Sequence, residues 1–201
     1  MPRTSAAVAA QTARDILDSA TTLLAARGIA ELSLDDVATA AGVTRGAVYH
    51  HYRNKAGLFR AVAARLQADV ATGVVAAAER ASGGPADQLR AGCHAFVDAI
   101  TAGPAAQVLL IDAPAAIGWQ EWRRLDAANS GRHLREALGD AGVPPRLVEA
   151  TAVQLSGAMN EAALWIVQDG AGRRASADAH AVLDQLLDAV LPLSAGPTPS
   201  M

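Results

Sequence analysis

The sequence predicts an all-α protein, and three observations lead to this fold class. Hydrophobic residues make up 51% of the 201 residues but aromatic residues only 3%, so a core has to be built mainly from Ala, Leu and Val. Ala and Leu are strong helix formers, and apolar residues recur at i, i+3, i+4 and i+7, the spacing of one helix face. No segment shows the sustained alternation of β-branched residues that is typical of a strand.

From the N-terminus onward the predicted elements are helices separated by Gly, Pro and Asn. Residues 1–12 are small and polar and are predicted to form an arm, followed by an amphipathic helix over about residues 12–27 that stops at Gly28. A helix-turn-helix stretch follows, and Lys55 opens a fourth helix that leads to the Gly-rich residues 81–85. The remaining predicted helices cover about residues 86–102, 105–113, 119–138, 146–168 and 176–191.

The helix-turn-helix stretch has a local reason for each of its positions. Residues 34–41 place apolar side chains on one helix face, and Ser33 precedes them as a cap, with Asp36 supplying the carboxylate of a capping box. Gly42 stands where a helix needs a left-handed stop. Thr44 is placed to cap the next helix. This order of signals predicts two helices joined by a tight turn.

The second helix of this pair has two different faces when its residues are placed about 100° apart. The face that turns toward the first helix carries Thr44, Ala47, Val48 and His51. The opposite face, which we call the reading face, carries Arg45, Gly46, Tyr49 and His50. Arg can read guanine edges, glycine lets the backbone approach closely, and Tyr and His can bond phosphates, so this face suits a groove of DNA. A solvated amphipathic helix of an ordinary helical protein would have the same spacing.

Basic charge is concentrated around this stretch although the whole chain is acidic, with a formal net charge of −3. Residues 1–65 carry eight Lys and Arg against five Asp and Glu, whereas residues 66–201 carry nine against fifteen. No acidic residue stands between Val37 and Ala68. Phosphate neutralisation requires such a segment, and Lys55, the chain's single lysine, suits a phosphate contact.

The last two long helices, about residues 146–168 and 176–191, are apolar on wide faces. Helices that are apolar on more than one side bury against more than one partner. One face is therefore predicted to meet the chain's own core and the other a second copy of the protein. A fully internal helix pair in a monomer would show the same pattern, but two copies would let two helix-turn-helix units read half-sites about one helical turn apart.

The composition also sets expectations about the compartment. A single cysteine, Cys93, excludes an intrachain disulfide framework and fits a reducing cytoplasm. Residues 1–13 lack the apolar core of a secretory signal, and the apolar runs are short and Ala-rich, too short to span a bilayer. We expect a cytoplasmic protein with no membrane partner.

The chain resembles the TetR family of bacterial transcriptional regulators over about its first 65 residues. The resemblance rests on Asp15–Ala20, Gly28, Ser33–Ala38, Ala41–Val43, Gly46–Lys55 and Leu58-Phe59. Tyr52 stands where the family commonly has Phe, which keeps an aromatic anchor. Beyond these residues only the helical layout agrees.

This resemblance implies an architecture and a mechanism. The composition of residues 193–201 predicts a disordered tail. The resemblance implies about nine helices, with a helix-turn-helix domain at residues 1–65 and a helical effector-binding and dimerisation domain at 66–192. It also implies a homodimer through the last two long helices. Such a repressor leaves its palindromic double-stranded DNA operator when an unidentified small molecule binds among the middle helices. The DNA-binding residues carried over are Ser33, Thr44, Arg45, Gly46, Tyr49, His50 and Lys55.

The middle and late helices contain the candidates for a ligand pocket. These candidates are Phe96, Ile100, Leu109, Asp112, Trp119, Trp122, Asn160 and Trp165. The apolar members would line a cavity, and the two polar members would orient a ligand if they face inward. Core packing is the more common role for each apolar candidate, and Asp112 also fits an ordinary helix cap ahead of Pro114.

Two other classes of function compete with a DNA-binding regulator. An enzyme is disfavoured because the motifs GxSxG, GxxxxGK[ST], HExxH and CxxC are absent from the sequence. A sequence-tolerant architectural DNA binder would show strong salt dependence with little discrimination, and the acidic C-terminal two-thirds favours a sensing domain instead. No cofactor or metal is expected, since His94 and His133 lack metal-ligand neighbours at useful spacing.

Overall fold

A computed structural model describes residues 2–168 and 173–191 of the chain. These residues form ten α-helices, one π-helical segment and no strand, which confirms the predicted all-α class with one helix more than expected. The helices are α1 Pro2–Glu31, α2 Leu34–Ala40, α3 Arg45–Tyr52, α4 Lys55–Arg80, α5 Pro85–Thr101, α6 Ala113–Ile117, α7 Trp119–Ala128, α8 Ser130–Asp140, α9 Pro145–Gln168 and α10 Arg173–Val190. The π-helical segment is Gln107–Asp112. The predicted tail, residues 193–201, lies outside the described residues.

The chain divides into two compact units. The first consists of Met1–Asp69 and Ala102–Asp126, and the second of Val70–Thr101 and Ala127–Met201. The first unit therefore contains the helix-turn-helix and also residues 102–126, which the sequence-based division assigned to the effector-binding domain. Helix α4 contributes its first half to the first unit and its second half to the second.

The first unit is built around the inward faces of its N-terminal helices. Helix α1 packs against α2, α3 and the π-helical segment, and α2 packs against α3. Ile16 of α1, Val37 of α2, Val48 of α3 and Phe59 of α4 are each fully buried. Burial of one such side chain contributes about 1.5–3 kcal/mol, so this small core is enough to fix the positions of α2 and α3.

The N-terminus differs from the prediction of an arm. Helix α1 begins at Pro2, because proline suits the first helical position and the alanines that follow have the highest helix propensity. The predicted stop is confirmed, since Gly28 has φ +73° and ψ 174° and interrupts the helical conformation near the end of α1.

Two predicted boundaries in the middle of the chain were wrong. The helix predicted over residues 119–138 is two helices, α7 and α8, because Asn129 leaves the helical region with φ −105° and ψ −107°. The stop expected before Pro114 does not occur, because proline fits the first turn of α6, where no backbone N–H is required. The residues preceding α6 are π-helical, which the periodicity does not indicate.

The second unit is a helical bundle. Helix α5 packs against α8, α9 and α10, and α9 also packs against α8 and α10. Its buried apolar side chains include Leu89, Phe96, Val97, Leu138, Leu155, Met159, Leu183 and Leu187. At the surface, Arg90 of α5 donates hydrogen bonds to Asp184, at 2.6 Å, and to Asp188 of α10. These bonds hold α10 against α5.

Helix α4 is long and apolar enough, by length and composition alone, to cross a membrane. By these two measures the expectation that no apolar run reaches such a length does not hold for α4. The same measures are met by core helices of proteins that never enter a bilayer, and Leu58, Phe59 and Val62 of α4 are fully buried in the fold.

Candidate nucleic-acid interface

Helix α2 begins at the predicted cap. The Ser33 hydroxyl accepts a hydrogen bond from the Asp36 backbone N–H at 3.1 Å and donates one to the Asp36 carboxylate at 2.7 Å. The two residues thus satisfy each other's hydrogen-bonding groups at the start of the helix. Because the hydroxyl hydrogen is already used, Ser33 would have to release the carboxylate before it could donate to a phosphate.

The turn between α2 and α3 has the predicted geometry at both of its ends. Gly42 has φ +66°, and the Val43 N–H donates to the Ala38 carbonyl at 2.9 Å, which closes α2. Thr44 Oγ1 accepts a hydrogen bond from the Ala47 N–H at 3.2 Å. As an acceptor in this cap, the Thr44 hydroxyl keeps its hydrogen for another partner.

Helix α3 turns the reading face to solvent, as the periodicity predicts. Val48 on its other side is fully buried, whereas all four residues of the reading face are exposed and Tyr49 is 52% exposed. A Cβ atom added at Gly46 would meet only Thr44 Oγ1, at an ordinary 3.7 Å. The fold itself therefore does not require a glycine at position 46.

An ion pair that the sequence pattern does not predict crosses from α2 to the reading face. Arg45 Nη1 lies 3.0 Å from Asp35 Oδ2, and the two side chains are 64% and 62% exposed. The residues are ten positions apart, so only the turn between the helices brings them together. The pair fixes the direction of one of the four side chains of the reading face.

The junction between α3 and α4 is a strained turn. Arg53 has φ +68° and ψ −48°, and the Asn54 N–H donates to the Tyr52 carbonyl two residues back at 2.8 Å. These values define a γ-turn, a conformation that non-glycine residues adopt rarely. The Asn54 side-chain oxygen then accepts from the Gly57 N–H at 2.8 Å and caps α4. Lys55 is thereby fixed in the first turn of α4.

Two further contacts hold this junction in place. The Tyr52 hydroxyl donates to the Ala13 carbonyl of α1 at 2.8 Å, and burial raises the pKa of this phenol above its ordinary value. A phenylalanine would lack this bond. On the other side of the turn, a Cβ atom added at Gly57 would lie 2.1 Å from the Tyr52 carbonyl oxygen. The close approach of α3 to α4 therefore requires glycine at position 57.

The cations around the helix-turn-helix differ in their partners. Arg65 pairs with Asp18 at 2.6 Å, and Arg60 lies 3.3 Å from Glu121, a carboxylate that it shares with Arg124, so both arginines have an acidic partner within the first unit. Within the described part of the chain, Arg53 and Lys55 have no ion-pair partner. Two unpaired cations therefore lie at the end of the reading helix, where contacts to phosphates would position it.

The eight candidate ligand-pocket residues are divided evenly between the two units. Leu109, Asp112, Trp119 and Trp122 belong to the first unit, and Phe96, Ile100, Asn160 and Trp165 belong to the second. Trp119 and Trp165 are 62% and 46% exposed, and the other six are buried. That these residues bind a ligand remains a prediction.

Both polar candidates have a buried oxygen atom without a partner. The Gln107 amide donates to Asp112 Oδ1 at 3.0 Å, across the five-residue spacing of the π-helical segment. Asp112 Oδ2 in the first unit and Asn160 Oδ1 in the second have no hydrogen-bond partner among the described residues. Most buried polar atoms are hydrogen-bonded, so each of these oxygens is a place for a water molecule or a ligand donor.

Among the described residues, no group of three or more His, Cys, Asp and Glu side chains is arranged to hold a metal ion. Residues distant in the sequence approach His94, which lies 2.8 Å from Asp184 Oδ1 and stacks on His180 with 4.6 Å between ring centroids. Burial raises the pKa of the Cys93 thiol to about 12, which leaves the thiol protonated and unreactive at neutral pH.

A capped helix-turn-helix, with an exposed polar helix face beside unpaired cations, is typical of DNA-binding proteins. Residues 16–62 match the family model described as "Bacterial regulatory proteins, tetR family". Residues 86–190, more than half of the chain, match the model described as "Tetracyclin repressor-like, C-terminal domain". The chain therefore belongs to the TetR family, as its first 65 residues suggested.

Individual proteins agree with this membership to different extents. The HTH-type transcriptional regulator SrpR of Pseudomonas putida is 43% identical over 67 residues, a stretch that covers 33% of this chain and only 32% of SrpR. A TetR-family regulator of Pectobacterium atrosepticum has a TM-score of 0.71 at 28% identity, over 93% of this chain and 97% of its own. FadR of Bacillus subtilis, solved with stearoyl-CoA, shares the fold, with a TM-score of 0.70 at 16% identity over 87% of this chain and 97% of its own.

These findings settle the class of function. The family and the named relatives are transcriptional regulators. The chain is accordingly a helix-turn-helix transcriptional regulator and not an enzyme.

Proposed function

We propose that this regulator is a repressor that binds a palindromic double-stranded DNA operator as a homodimer and leaves it when a small molecule binds. One observation carries the DNA-binding part: the reading face is exposed on a helix that is capped at its start and tied down at its end, next to two unpaired cations. The proposed compartment is the cytoplasm, where the DNA lies.

In this proposal, reading and positioning fall to different residues. Arg45 would bond guanine O6 and N7, and Tyr49 would contact the adjacent base or its sugar and phosphate. Gly46 lets the helix backbone approach the groove. Thr44, His50 and Lys55 would bind phosphates, since Thr44 keeps its hydroxyl hydrogen and Lys55 has no acidic partner in the described part of the chain. Ser33 would bind a phosphate only if its hydrogen bond to the Asp36 carboxylate opens.

The experiment compares the operator with a random duplex of equal length. Arg45→Ala is expected to weaken operator binding by about 10- to 100-fold per half-site, which corresponds to the loss of one bidentate base contact in each subunit, and to weaken the binding of random DNA far less. Lys55→Ala is expected to weaken both and to reduce the salt slope by about 1 for each subunit of the dimer. Arg80→Ala, an exposed arginine at the far end of α4, serves as the control. Equal losses on both duplexes for Arg45→Ala would exclude the base-reading role.

The homodimer is supported by apolar side chains that α9 and α10 leave exposed. Val153 and Trp165 of α9 are 44% and 46% exposed, and Val182 and Leu186 of α10 are 54% and 39% exposed. Trp165, Val182 and Leu186 also line a shallow apolar cavity of about 220 Å³ in the second unit. A second copy would cover this surface, and the two reading faces would then be related by a two-fold axis.

A pair of charge substitutions on the same helix tests the dimer. Val182→Glu is expected to shift the protein from dimer to monomer in analytical ultracentrifugation and to abolish tight operator binding. Ala181→Glu adds the same charge at an exposed position of α10 that lies about 100° around the helix from Val182, and it is expected to leave both unchanged. A wild-type protein that sediments as a monomer at micromolar concentration would contradict the proposal.

The effector is proposed to bind within one of the two units, where Asp112 of the first or Asn160 of the second supplies the polar contact through its unpartnered oxygen. All three tryptophans of the chain are among the candidates, so intrinsic fluorescence reports on these residues directly. Ligand control requires a different affinity for the DNA-bound and free states. A compound that quenches tryptophan fluorescence is therefore expected to release the operator over the same concentration range. Compounds that quench without any effect on DNA binding would contradict the proposed coupling.

A further inference from the structure

We propose that Asp35 is a positioning residue that sets sequence discrimination by holding the Arg45 guanidinium in its base-reading direction. The proposal rests on the proposed function, because it assigns a partner to a residue of the reading face. It concerns an acidic side chain that neither the sequence pattern nor the family comparison marks as part of the DNA interface.

The two carboxylates at the start of α2 have different tasks. Asp36 is engaged by the Ser33 hydroxyl and closes the cap of the helix. The Asp35 carboxylate takes no part in the cap and accepts a hydrogen bond from Arg45 Nη1 at 3.0 Å. Helix capping therefore explains Asp36 but not Asp35.

Both ends of the connection between these two residues are rigid. The Gly42 conformation and the bond from Val43 to Ala38 end α2, and the Thr44 cap begins α3. The backbones that carry Asp35 and Arg45 are therefore held at a fixed separation. A carboxylate on such a support can orient a guanidinium before DNA arrives.

The chemistry of arginine makes this orientation useful. A guanidinium has five N–H donors in one plane, and the pair with Asp35 occupies a donor on Nη1 only. The Nη2 and Nε donors stay free to bond guanine O6 and N7 side by side. A side chain that is already ordered loses less conformational entropy on binding, so the pair favours the base contact.

The same carboxylate works against binding in the wrong register. Asp35 and Asp36 are the only acidic residues from Leu32 to Ala68, so Asp35 places a negative charge beside an otherwise basic surface. If Arg45 swung to a backbone phosphate, it would leave the Asp35 charge unpaired near other phosphates. A repulsive element of this kind raises specificity by weakening the competing complexes.

Folding stability accounts for little of the role of Asp35. It lies in the first turn of α2, where a carboxylate interacts favourably with the helix dipole, an effect that is small for an exposed side chain. Side chains that are 64% and 62% exposed form a pair of small net stabilisation. Removal of the charge is therefore expected to leave the folded state intact and to change the discrimination of DNA.

A double-mutant cycle with Asp35→Asn, Arg45→Ala and the combined variant tests the proposal. The measured quantity is the ratio of operator affinity to random-duplex affinity at several salt concentrations. Asp35→Asn is expected to lower this ratio about tenfold per half-site, the scale of one base contact, and to relax selection at one base position of each half-site. In the Arg45→Ala background the same substitution is expected to leave the ratio unchanged. Asp35→Glu, which keeps the charge, is expected to restore part of the discrimination.

The controls separate this proposal from the proposed function. Asp140→Asn removes an exposed charge in the second unit and is expected to leave the ratio unaltered. A ratio that is unchanged in Asp35→Asn, or that falls equally in the Arg45→Ala background, would overturn the role of Asp35 while leaving the repressor intact. A wild-type protein that does not discriminate between the duplexes would overturn both proposals.

Discussion

The substitution Gly57→Ala tests the close approach of α3 to α4 most sharply. The added Cβ atom would lie 2.1 Å from the Tyr52 carbonyl oxygen, far inside the 3.0 Å that real contacts respect. The obstructing atom belongs to the backbone and already accepts the Asn54 N–H of the γ-turn, so it cannot rotate away. Overpacking of this kind costs about 1–3 kcal/mol, more than the roughly 1 kcal/mol that alanine gains over glycine in a helix. We expect a net loss of stability and weaker DNA binding.

Gly73→Ala provides the matched control within the same helix. A Cβ atom at position 73 has nothing within 4 Å, so the same substitution is expected to raise the free energy of unfolding by about 0.5–1 kcal/mol. Urea unfolding followed by circular dichroism measures both variants, and titration of operator DNA measures the reading helix. If Gly57→Ala stabilised the protein as much as Gly73→Ala, the close approach of Tyr52 to Gly57 would be refuted.

Three further predictions concern single side chains. Tyr52→Phe removes the bond to Ala13 and is expected to lower the free energy of unfolding by about 1 kcal/mol; an unchanged urea midpoint would contradict the bond. Because burial raises the pKa of Cys93 from 9.0 to about 12, stability is expected to fall as the pH rises from 9 toward 12, and this decline to be smaller in Cys93→Ala, where only the part due to the raised pKa of Tyr52 remains. The Arg90 hydrogen bond, followed by that of His94, lowers the pKa of Asp184 below 3.8. The contribution of ionised Asp184 to the free energy of unfolding is expected to be complete above that pH and to be lost on further acidification. In Asp184→Asn this acid-dependent loss is expected to be absent when unfolding is measured as a function of pH.

The features that could be predicted from the sequence are the local ones. The caps at Ser33 and Thr44 depend on bonds to backbone groups three residues away, and the Gly42 stop depends on one residue's φ. The outward direction of Tyr49 follows from helical periodicity once Val48 is assigned to the core. Short-range physics decides each of these, so an amino-acid pattern is enough.

The features that could not be predicted depend on tertiary placement or on signals that the sequence lacks. The bond from Tyr52 to Ala13 joins residues 39 positions apart, and no pattern within one helix indicates it. The break between α7 and α8 falls at Asn129, with neither Gly nor Pro beside it. The helical spacing of apolar residues therefore predicts one continuous helix across this position. The pocket candidates were chosen by residue type, which does not tell in which unit a helix lies.

Genome-wide footprinting of bound sites with the wild-type protein and Arg45→Ala shows whether the reading face selects an operator sequence. If the reading face recognises an operator as proposed, the wild-type sites share one two-fold symmetric sequence, and Arg45→Ala loses them while retaining its binding to bulk DNA. Wild-type sites without a common sequence, or sites that Arg45→Ala occupies as fully as the wild type, would contradict the account.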